Sequence, residues 1–440
     1  MKTPIYDFVK KYTESDFSRF HMPGHKGQSF LGCEKSDITE ISGADVLYSA
    51  EGIIAQSENN ATSLFGTCHT FYSTEGSTLA IKAMLALVGG EKPLILAARN
   101  VHKAFVYACA LLDYDVEWIY SENASHLCSC DITPETVQKS LRACGRKPSA
   151  VYITSPDYLG RIADVRGISE VCRAEGIPLL VDNAHGAYLA FTEPSLHPIA
   201  LGAAMCCDSA HKTLPVLTGG AYLHISKDYP RFAESAVDKL SLFASTSPSY
   251  LILQSLDLCN GYLADAYASR LNKCIESVEQ IKAFIGNKGF YCEACEPLKI
   301  VINASKSGYS GCELADVLRR YNIEAEYSDG EFLVLMVTPE NSQNDFERLK
   351  KAFSSLEIRA SVCAEVSALS APLISKMSIR KAVFAPHERV ETRAALDRVC
   401  ASPSVSCPPA VPIAVSGEVI TEEAIELFLH YGINEIDVVK

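Results

Sequence analysis

The sequence predicts an α/β fold in which a mostly parallel sheet carries helices on both faces, followed by a smaller C-terminal α/β domain. From about residue 61 to 225, strand-like apolar segments alternate with helix-like segments, as in parallel sheets. A shorter α/β pattern follows from 299 to 353. The 440 residues are 48% hydrophobic and 21% charged, a globular composition. The predicted division is an N-terminal arm at 1–60, a large domain at 61–290, a small α/β domain at 291–356 and a C-terminal segment at 357–440.

The arm begins with a short amphipathic helix near Pro4–Lys11, after which glycine and proline in residues 21–27 preclude a long helix. In the large domain, Thr133 and Pro134 form a typical helix start. The predicted strands are Thr70–Ser73, Leu94–Ala97, Val116–Tyr120, Ala150–Thr154, Leu179–Asp182, Met205–Asp208 and Ala221–Ile225. The predicted helices are Ser77–Leu87, His102–Leu112, Thr133–Cys144, Arg166–Glu175 and long helices across 247–289.

The small domain is predicted from one strand, a hairpin and two helices. The turn signal Asp329-Gly330 lies between two apolar segments, which favours a hairpin. Residues 357–376 are rich in serine and alanine and read as a linker. The predicted elements are the strands Lys299–Asn303, Ile323–Tyr327 and Phe332–Val337 and the helices Gly311–Tyr321 and Asp345–Phe353.

Composition and charge exclude several classes of function. The formal net charge is −13, which argues against a nucleic-acid partner, since those proteins carry a basic surface. No apolar run approaches the roughly 18 residues that a membrane span needs, and the N-terminus lacks a signal-peptide core. We therefore expect a cytoplasmic protein without a membrane partner. The 17 cysteines are scattered and odd in number, which fits reduced thiols, and we predict no metal site.

Asp182 and Lys212 are the most informative pair of residues. Asp182 ends an apolar strand, and Lys212 follows 30 residues later, beyond the next strand. Ligands of such sheets bind at the carboxyl ends of the strands. A lysine there can form a Schiff base with pyridoxal 5′-phosphate (PLP), and an aspartate can hold the pyridine nitrogen protonated. Taken singly, each residue also fits an ordinary helix cap or a surface lysine.

A phosphate site is predicted where the first strand joins its helix. Gly76 allows close backbone approach, and Ser77 and Thr78 stand at the helix start, where N–H groups and the helix dipole favour an anion. An ordinary serine or threonine cap is the alternative. Farther along, Ser209 and His211 lie beside Lys212 and could also reach the phosphate.

Three further residues complete the predicted PLP site. His102, at a helix start near the edge of the sheet, could stack on the cofactor ring. Ala184 is small enough to let the ring lie against the backbone, and His185 could bind the phenolic oxygen of the ring. Each group alone is a weak signal. Their occurrence in chain order at the ends of successive strands favours PLP as the cofactor.

The chain resembles the Orn/Lys/Arg decarboxylases, a family of fold-type I PLP-dependent enzymes, in their short bacterial form. The resemblance runs from His21 to the tail Ile413–Ile420. It is carried by the segments His21–Lys26, Asp37–Glu40, Arg99–Lys103, Asp182–Gly186, Ser209–Leu214 and Ser245–Tyr250.

The resemblance implies roles for these residues and an active homodimer or higher homo-oligomer. Lys212 would bind the cofactor aldehyde, Asp182 would hold the pyridinium and His102 would stack on the ring. The segment Ser245–Tyr250 would approach the cofactor of the neighbouring subunit. The phosphate ligands would be Ser77, Thr78, Ser209 and His211.

This chain departs from the family pattern at several positions. Glu75 stands where asparagine is common, and a carboxylate near a phosphate is unfavourable unless it points away or pairs. Asn183 replaces a glutamate and Tyr188 a histidine. In the C-terminal part, Cys407-Pro408-Pro409-Ala410 replaces Tyr-Pro-Pro-Gly, and Asp397 stands where glycine is usual.

The resemblance implies decarboxylation of a basic amino acid, arginine, lysine or ornithine, as a step of polyamine metabolism. Two alternatives stay open at this point. The same residues suit other PLP reactions, such as transamination or acyl condensation, because the fold alone does not determine the reaction. The departures would also fit a catalytically silent regulatory protein with the same fold.

Overall fold

The computed structural model describes residues 1–91, 93–121, 126–362, 368–369, 371–403 and 410–440. Within it the chain forms two compact units, each built from two stretches of sequence. The first unit comprises residues 1–89 and 172–269, and the second comprises 90–171 and 270–440. The four-part division given above stays a prediction. The segment Cys407-Pro408-Pro409 and part of the 357–376 linker lie outside the described residues.

The larger sheet is mixed and mostly parallel, with helices around it, so the predicted fold class is confirmed. Its strand order is β1-β7-β6-β5-β4-β2-β3. All seven strands were predicted to within one residue at each end. The strands are β1 (His69–Ser73), β2 (Leu94–Ala98), β3 (Asp115–Ile119), β4 (Ala150–Thr154), β5 (Leu179–Asp182), β6 (Met205–Asp208) and β7 (Ala221–Ile225).

In the first unit, β5 and β6 run parallel, with Asp182 opposite Cys207. Strand β7 is antiparallel to both of its neighbours, β6 and β1. All residues of β5, β6 and β7 are buried, which explains their continuous apolar runs. The α-helices that lie wholly in this unit are α1 (Pro4–Thr13), α2 (Ile53–Phe65), α3 (Gly76–Leu87), α7 (Ala210–Thr213), α8 (Arg231–Ser241) and α9 (Tyr250–Ala264).

Helices α2, α7 and α8 were not predicted. The expectation that the N-terminal arm contains a single short helix was wrong for α2. The buried face of α2 includes Ser57 and Glu58, which hide its apolar period. Both side chains are satisfied by distant partners. Glu58 accepts a hydrogen bond from the Tyr72 backbone N–H at 2.9 Å, and the Ser57 hydroxyl donates to Asp257 at 2.6 Å.

Asp257, in α9, connects the N-terminal helix to the body of the first unit. Its Oδ2 accepts hydrogen bonds from the backbone N–H groups of Ile5 (2.9 Å) and Tyr6 (3.0 Å), in the first turn of α1. These N–H groups have no acceptor within their own helix. Burial raises the pKa of Asp257 to about 6, although hydrogen bonds from Ser57, Tyr6 and Ile5 favour its ionised form.

The second unit contains β2, β3 and β4, which pair in parallel, and a separate four-stranded antiparallel sheet of order β10-β11-β9-β8. A two-stranded sheet pairs β12 with β13. The remaining strands are β8 (Tyr291–Cys292), β9 (Lys299–Asn303), β10 (Tyr327–Ser328), β11 (Phe332–Met336), β12 (His387–Glu391) and β13 (Glu435–Val439).

The helices of the second unit, and two that span the unit boundaries, are mostly those predicted. Wholly within the unit are α4 (Lys103–Leu112), α5 (Pro134–Ala143), α11 (Gly311–Arg320), α12 (Gln343–Ser354), α13 (Ile379–Phe384) and α14 (Glu422–His430). The spanning helices are α6 (Val165–Ala174) and α10 (Tyr267–Asn287). Short 3-10 helices lie at Leu47–Ser49, Ala187–Phe191, Ser305–Ser307 and Thr392–Ala395. In the described part of the chain, every helix is too short or too polar to cross a lipid bilayer.

The hairpin predicted at Asp329-Gly330 is confirmed, but its first strand is shorter than predicted. Strand β10 begins only at Tyr327, because the chain leaves α11 through Asn322 in the left-handed conformation (φ 58°). The turn is fixed by Asp329, whose Oδ1 accepts hydrogen bonds from the N–H groups of Glu331 (2.8 Å) and Phe332 (2.6 Å).

The sequence contains one CxxC pair, Cys292 and Cys295, which the prediction of no metal site did not consider. Both thiols are half-buried and contact backbone carbonyls, Cys292 that of Lys282 at 4.0 Å and Cys295 that of Lys299 at 3.1 Å. Burial raises the pKa of Cys292 to about 11. All cysteines of the described residues are free thiols.

Two departures from the family pattern occupy positions that favour glycine. Asp397 and Ala410, both where the family commonly has glycine, have left-handed backbones with φ of 59° and 60°. Aspartate tolerates this conformation better than alanine does, because its short polar side chain can bond locally. The Ala410 carbonyl accepts a hydrogen bond from the Lys103 N–H at 3.0 Å, so the strained residue lies against the start of α4.

We predict that Ala410→Gly stabilises the protein by about 1 kcal/mol or less, because glycine removes the left-handed strain but gains entropy in the unfolded chain. Thermal denaturation should show a higher midpoint for this variant. The matched control, Asp397→Gly, should change the midpoint less. A lower midpoint for Ala410→Gly would contradict the strain argument.

Candidate active site

The carboxyl ends of β5 and β6 place Asp182 and its neighbours at one edge of the sheet. Asp182 is buried, and its Oδ1 accepts hydrogen bonds from the Ala184 N–H at 3.1 Å and from the Cys207 thiol at 3.7 Å. Burial raises the pKa of Cys207 well above its usual range, and Asp182 and Asp208 act in the same direction. The thiol therefore stays protonated and donates to the carboxylate.

Lys212 lies near His185. Its Nζ is 3.0 Å from Nε2 of His185, the residue three positions after Asp182. Lys212 stands on the short helix α7, directly after β6, and its backbone N–H donates to the Ser209 carbonyl at 3.0 Å. The amine is thus held at the same strand ends as Asp182.

The start of α3 meets the loop after β6. The Ser209 hydroxyl donates to Ser77 Oγ at 2.8 Å, and the Gly76 N–H donates to the Gly219 carbonyl at 2.7 Å. Gly76 has φ of 71°, and a Cβ built there meets no atom within 4 Å, so the space beside this turn is open. Gly219 was not among the predicted site residues.

The Glu75 carboxylate forms a hydrogen bond with the backbone of a segment that is distant in the sequence. Its Oε1 accepts a hydrogen bond from the Ser245 N–H at 2.7 Å. The concern that a carboxylate would oppose a phosphate at α3 is therefore reduced, because this carboxylate has a defined partner. In the same segment Tyr250 is buried, and its hydroxyl bonds to the backbone of Asp45, whereas residues 245–247 are exposed.

His211 is held by Gly220. Its Nδ1 is 2.9 Å from the Gly220 carbonyl and therefore donates to it. Burial lowers the pKa of His211, with Lys212 acting in the same direction, although the bond to Gly220 favours the protonated ring. A neutral ring that donates through Nδ1 has no proton on Nε2, so Nε2 can donate to an anion only once the ring is protonated.

The other predicted site residues have simpler surroundings. Thr78 is exposed in the first turn of α3, and Ala184 lies directly after Asp182. Tyr188 is fully buried. His102 belongs to the second unit, where its Nδ1 caps α4 by accepting from the Ala104 N–H at 3.1 Å.

The fold is that of PLP-dependent fold-type I decarboxylases. The chain is similar to a crystal structure of the lysine decarboxylase of Francisella novicida, with a TM-score of 0.82 at 17% identity, covering 100% of this chain and 81% of that one. It is also similar to the constitutive lysine decarboxylase of E. coli, with a TM-score of 0.80 at 17% identity, covering 100% and 82%.

Residues 3–303 match the sequence profile of the Orn/Lys/Arg decarboxylase major domain. An arginine decarboxylase of Bacillus subtilis (strain 168) is 31% identical over 96% of this chain and 92% of its own. An arginine decarboxylase of Halalkalibacterium halodurans is likewise 31% identical, over 96% and 91%. The chain therefore belongs to the Orn/Lys/Arg decarboxylase family, as the resemblance implied, and its enzyme class is that of the PLP-dependent decarboxylases.

We predict that Glu75→Ala raises hydrogen exchange at the Ser245 amide by about tenfold, since one hydrogen bond contributes about 1 kcal/mol or somewhat more when its acceptor is charged. Glu75→Gln keeps a carbonyl oxygen and should stay close to wild type. Exchange measured by mass spectrometry on peptides covering 243–249 tests this. Equal exchange in all three proteins would show that the contact does not hold the segment.

Proposed function

We propose that this protein binds PLP at the edge formed by β5, β6 and α3, and that it decarboxylates a basic amino acid. The observation that carries the proposal is the convergence of Asp182, His185 and Lys212 at adjacent strand ends, with Lys212 Nζ 3.0 Å from His185 Nε2. Family membership supplies the reaction class.

The start of α3 suits the phosphate of PLP. Its helix dipole favours an anion, Gly76 leaves open space, and the hydroxyls of Ser77 and Ser209 lie 2.8 Å apart. Thr78 adds a third hydroxyl in the same turn. A dianionic phosphate near His211 would favour its protonation, and only the protonated ring could donate to the phosphate through Nε2.

Asp182 would hold the proton at the pyridine nitrogen of the cofactor. The Cys207 thiol and the Ala184 N–H both bond to Oδ1 and fix the plane of the carboxylate. When bound, PLP supplies an electron sink for the charge left by the departing carboxylate. A buried carboxylate facing the ring nitrogen strengthens that sink, because it keeps the nitrogen protonated.

Lys212 would bind the cofactor aldehyde until the amine of the substrate displaces it. The released lysine amine would then be a candidate to move a proton near Cα. His185, in contact with that amine, would orient it and bind the phenolic oxygen of the ring. The family resemblance further implies that His102 would stack on the ring. These assignments all name residues quoted for the family resemblance.

The relatives' names support arginine or lysine as substrate, with ornithine the third candidate. The net charge of −13 is compatible with a cationic amino acid, since opposite charge raises its local concentration. Cytoplasmic location, a homodimer or higher homo-oligomer, and a role in polyamine metabolism belong to the same proposal and stay predictions.

Release of CO₂ from carboxyl-labelled arginine, lysine and ornithine tests the proposal directly. The PLP-loaded protein should release CO₂ and yield the matching amine from at least one of them. Lys212→Ala should abolish the visible absorbance of the lysine-bound cofactor and reduce turnover by a factor on the order of a thousand or more, since it removes the covalent contact.

Lys227→Ala is the matched control, because this exposed lysine lies in the same compact unit. It should keep both the absorbance and the activity. Keto-acid formation without CO₂ would favour transamination instead. A cofactor band without turnover of any of the three amino acids would favour a silent regulatory protein.

A further inference from the structure

Asp208, the last residue of β6, is the centre of a buried polar cluster behind the candidate active site. Its Oδ2 lies 3.0 Å from Nε2 of His197 and 3.1 Å from Nε2 of His224. All three side chains are at most 1% exposed. His224 is fixed in turn by Thr70, whose hydroxyl lies 2.9 Å from its Nδ1.

The second oxygen of Asp208 connects this cluster to β5. Asp208 Oδ1 accepts a hydrogen bond from the side-chain amide of Asn183 at 2.7 Å. Asn183 directly follows Asp182, and its own N–H donates to the Cys207 carbonyl at 3.0 Å. One carboxylate therefore binds three donors, from the end of β5, from β7 and from the loop before β6.

The cluster and the cofactor residues face opposite sides of the sheet. Side chains alternate along a strand, and Asp182 is registered with Cys207. Asp182 and Cys207 thus share one face, and Asn183 and Asp208 share the other. A change at Asp208 therefore reaches the cofactor site indirectly, through the backbone positions of its neighbours and through the loss of its charge, which also acts on Cys207.

The carboxylate is held in its ionised form. Burial opposes ionisation, but His197 and His224 outweigh it and lower the pKa of Asp208 below its usual range. Both histidine Nε2 atoms donate to the same oxygen, and Asn183 donates to the other. An amide in place of the carboxylate has a single acceptor oxygen, so it cannot accept from both groups of donors.

We propose that Asp208 is a positioning residue, which holds the ends of β5 and β6 together through Asn183 and thereby fixes Asp182 and Ser209 for cofactor binding. The proposal rests on the proposed function, because it assigns Asp208 a role toward PLP. Asp208 would not itself touch the cofactor. It would act through Ser209, which follows it in the sequence, and through Asn183, which donates a hydrogen bond to it and follows Asp182.

The competing interpretation is that these side chains form a metal site, because histidine and aspartate commonly bind metal ions. His197, Asp208 and His224 form the one group of this kind among the described residues, and the Cys206 thiol lies 3.8 Å from His197 Nε2. Each short contact, however, is already a hydrogen bond of ordinary length to one carboxylate. We therefore expect no bound metal.

Asp208→Asn and Asn183→Ala test the proposal in the PLP-loaded protein. Both should raise the dissociation constant for PLP on the order of tenfold, the usual effect of losing a supporting residue behind a binding site. Both should also displace the pH midpoint of the visible cofactor band. This midpoint reports the proton on the nitrogen that joins Lys212 to the cofactor, and the pKa of that nitrogen depends on how Asp182 holds the pyridine nitrogen. A general loss of stability would not move this midpoint.

Asp257→Asn is the matched control. It removes another buried carboxylate of the same compact unit, one that accepts from Ser57, Ile5 and Tyr6. It should lower the thermal midpoint while leaving PLP affinity and the band unchanged. Asn183→Ala covers the case in which Asp208→Asn does not fold, because it keeps the carboxylate and both histidines and removes only the connection to β5.

The outcomes separate this proposal from the proposed function. A wild-type protein without a visible PLP band overturns both. A normal wild-type band, with wild-type PLP affinity and midpoint in Asn183→Ala and in any folded Asp208→Asn, overturns the role of Asp208 alone. Elemental analysis that finds one equivalent of zinc, lost in His197→Ala, would replace the positioning role by a metal centre.

Discussion

The parallel pairing of β5 with β6 is the constraint on which the candidate site depends. Because both strands end at the same edge, Asp182 lies beside the start of the segment that carries Ser209 and Lys212. The pairing places Asp182 opposite Cys207, so the carboxylate meets a protonated thiol. A slip of one residue would turn Asp182 to the other face of the sheet, away from Cys207. The chemistry proposed for this protein therefore depends first on backbone register and only then on side-chain identity.

The strand ends carry different polar groups on their two faces. On one face, Asp182 and Cys207 form part of the candidate cofactor site, and on the other, Asn183 and Asp208 bond to each other and to two histidines. Buried polar groups of this kind stabilise only when every donor has an acceptor, and the Asp208 carboxylate accepts three. This arrangement explains why an asparagine suits position 183 in this chain. It is a departure from the family pattern, and its amide is the donor that an ionised Asp208 requires.

The sequence alone was sufficient to predict the features that depend on a few neighbouring residues. Strand ends, the Thr133 cap and the glycine at position 76 each follow from a few adjacent residues, and so the strands and the candidate cofactor residues were predicted. Long-range pairing has no local signature. Glu75 and Ser245 are 170 residues apart, and His197, Asp208 and His224 look like ordinary core residues when read singly. Helix α2 was missed for the same reason, because its buried serine and glutamate are satisfied by distant partners. The cluster of His197, Asp208 and His224 can be recognised only when the fold places β7 beside β6.

The site of cofactor attachment tests the proposed function most directly. Borohydride reduction of the PLP-loaded protein fixes the pyridoxyl group on the lysine that holds it, and peptide mapping by mass spectrometry identifies that residue. We predict a single modified lysine, Lys212, with stoichiometric labelling. Labelling of another lysine, or of none under conditions where the protein is folded, would contradict it.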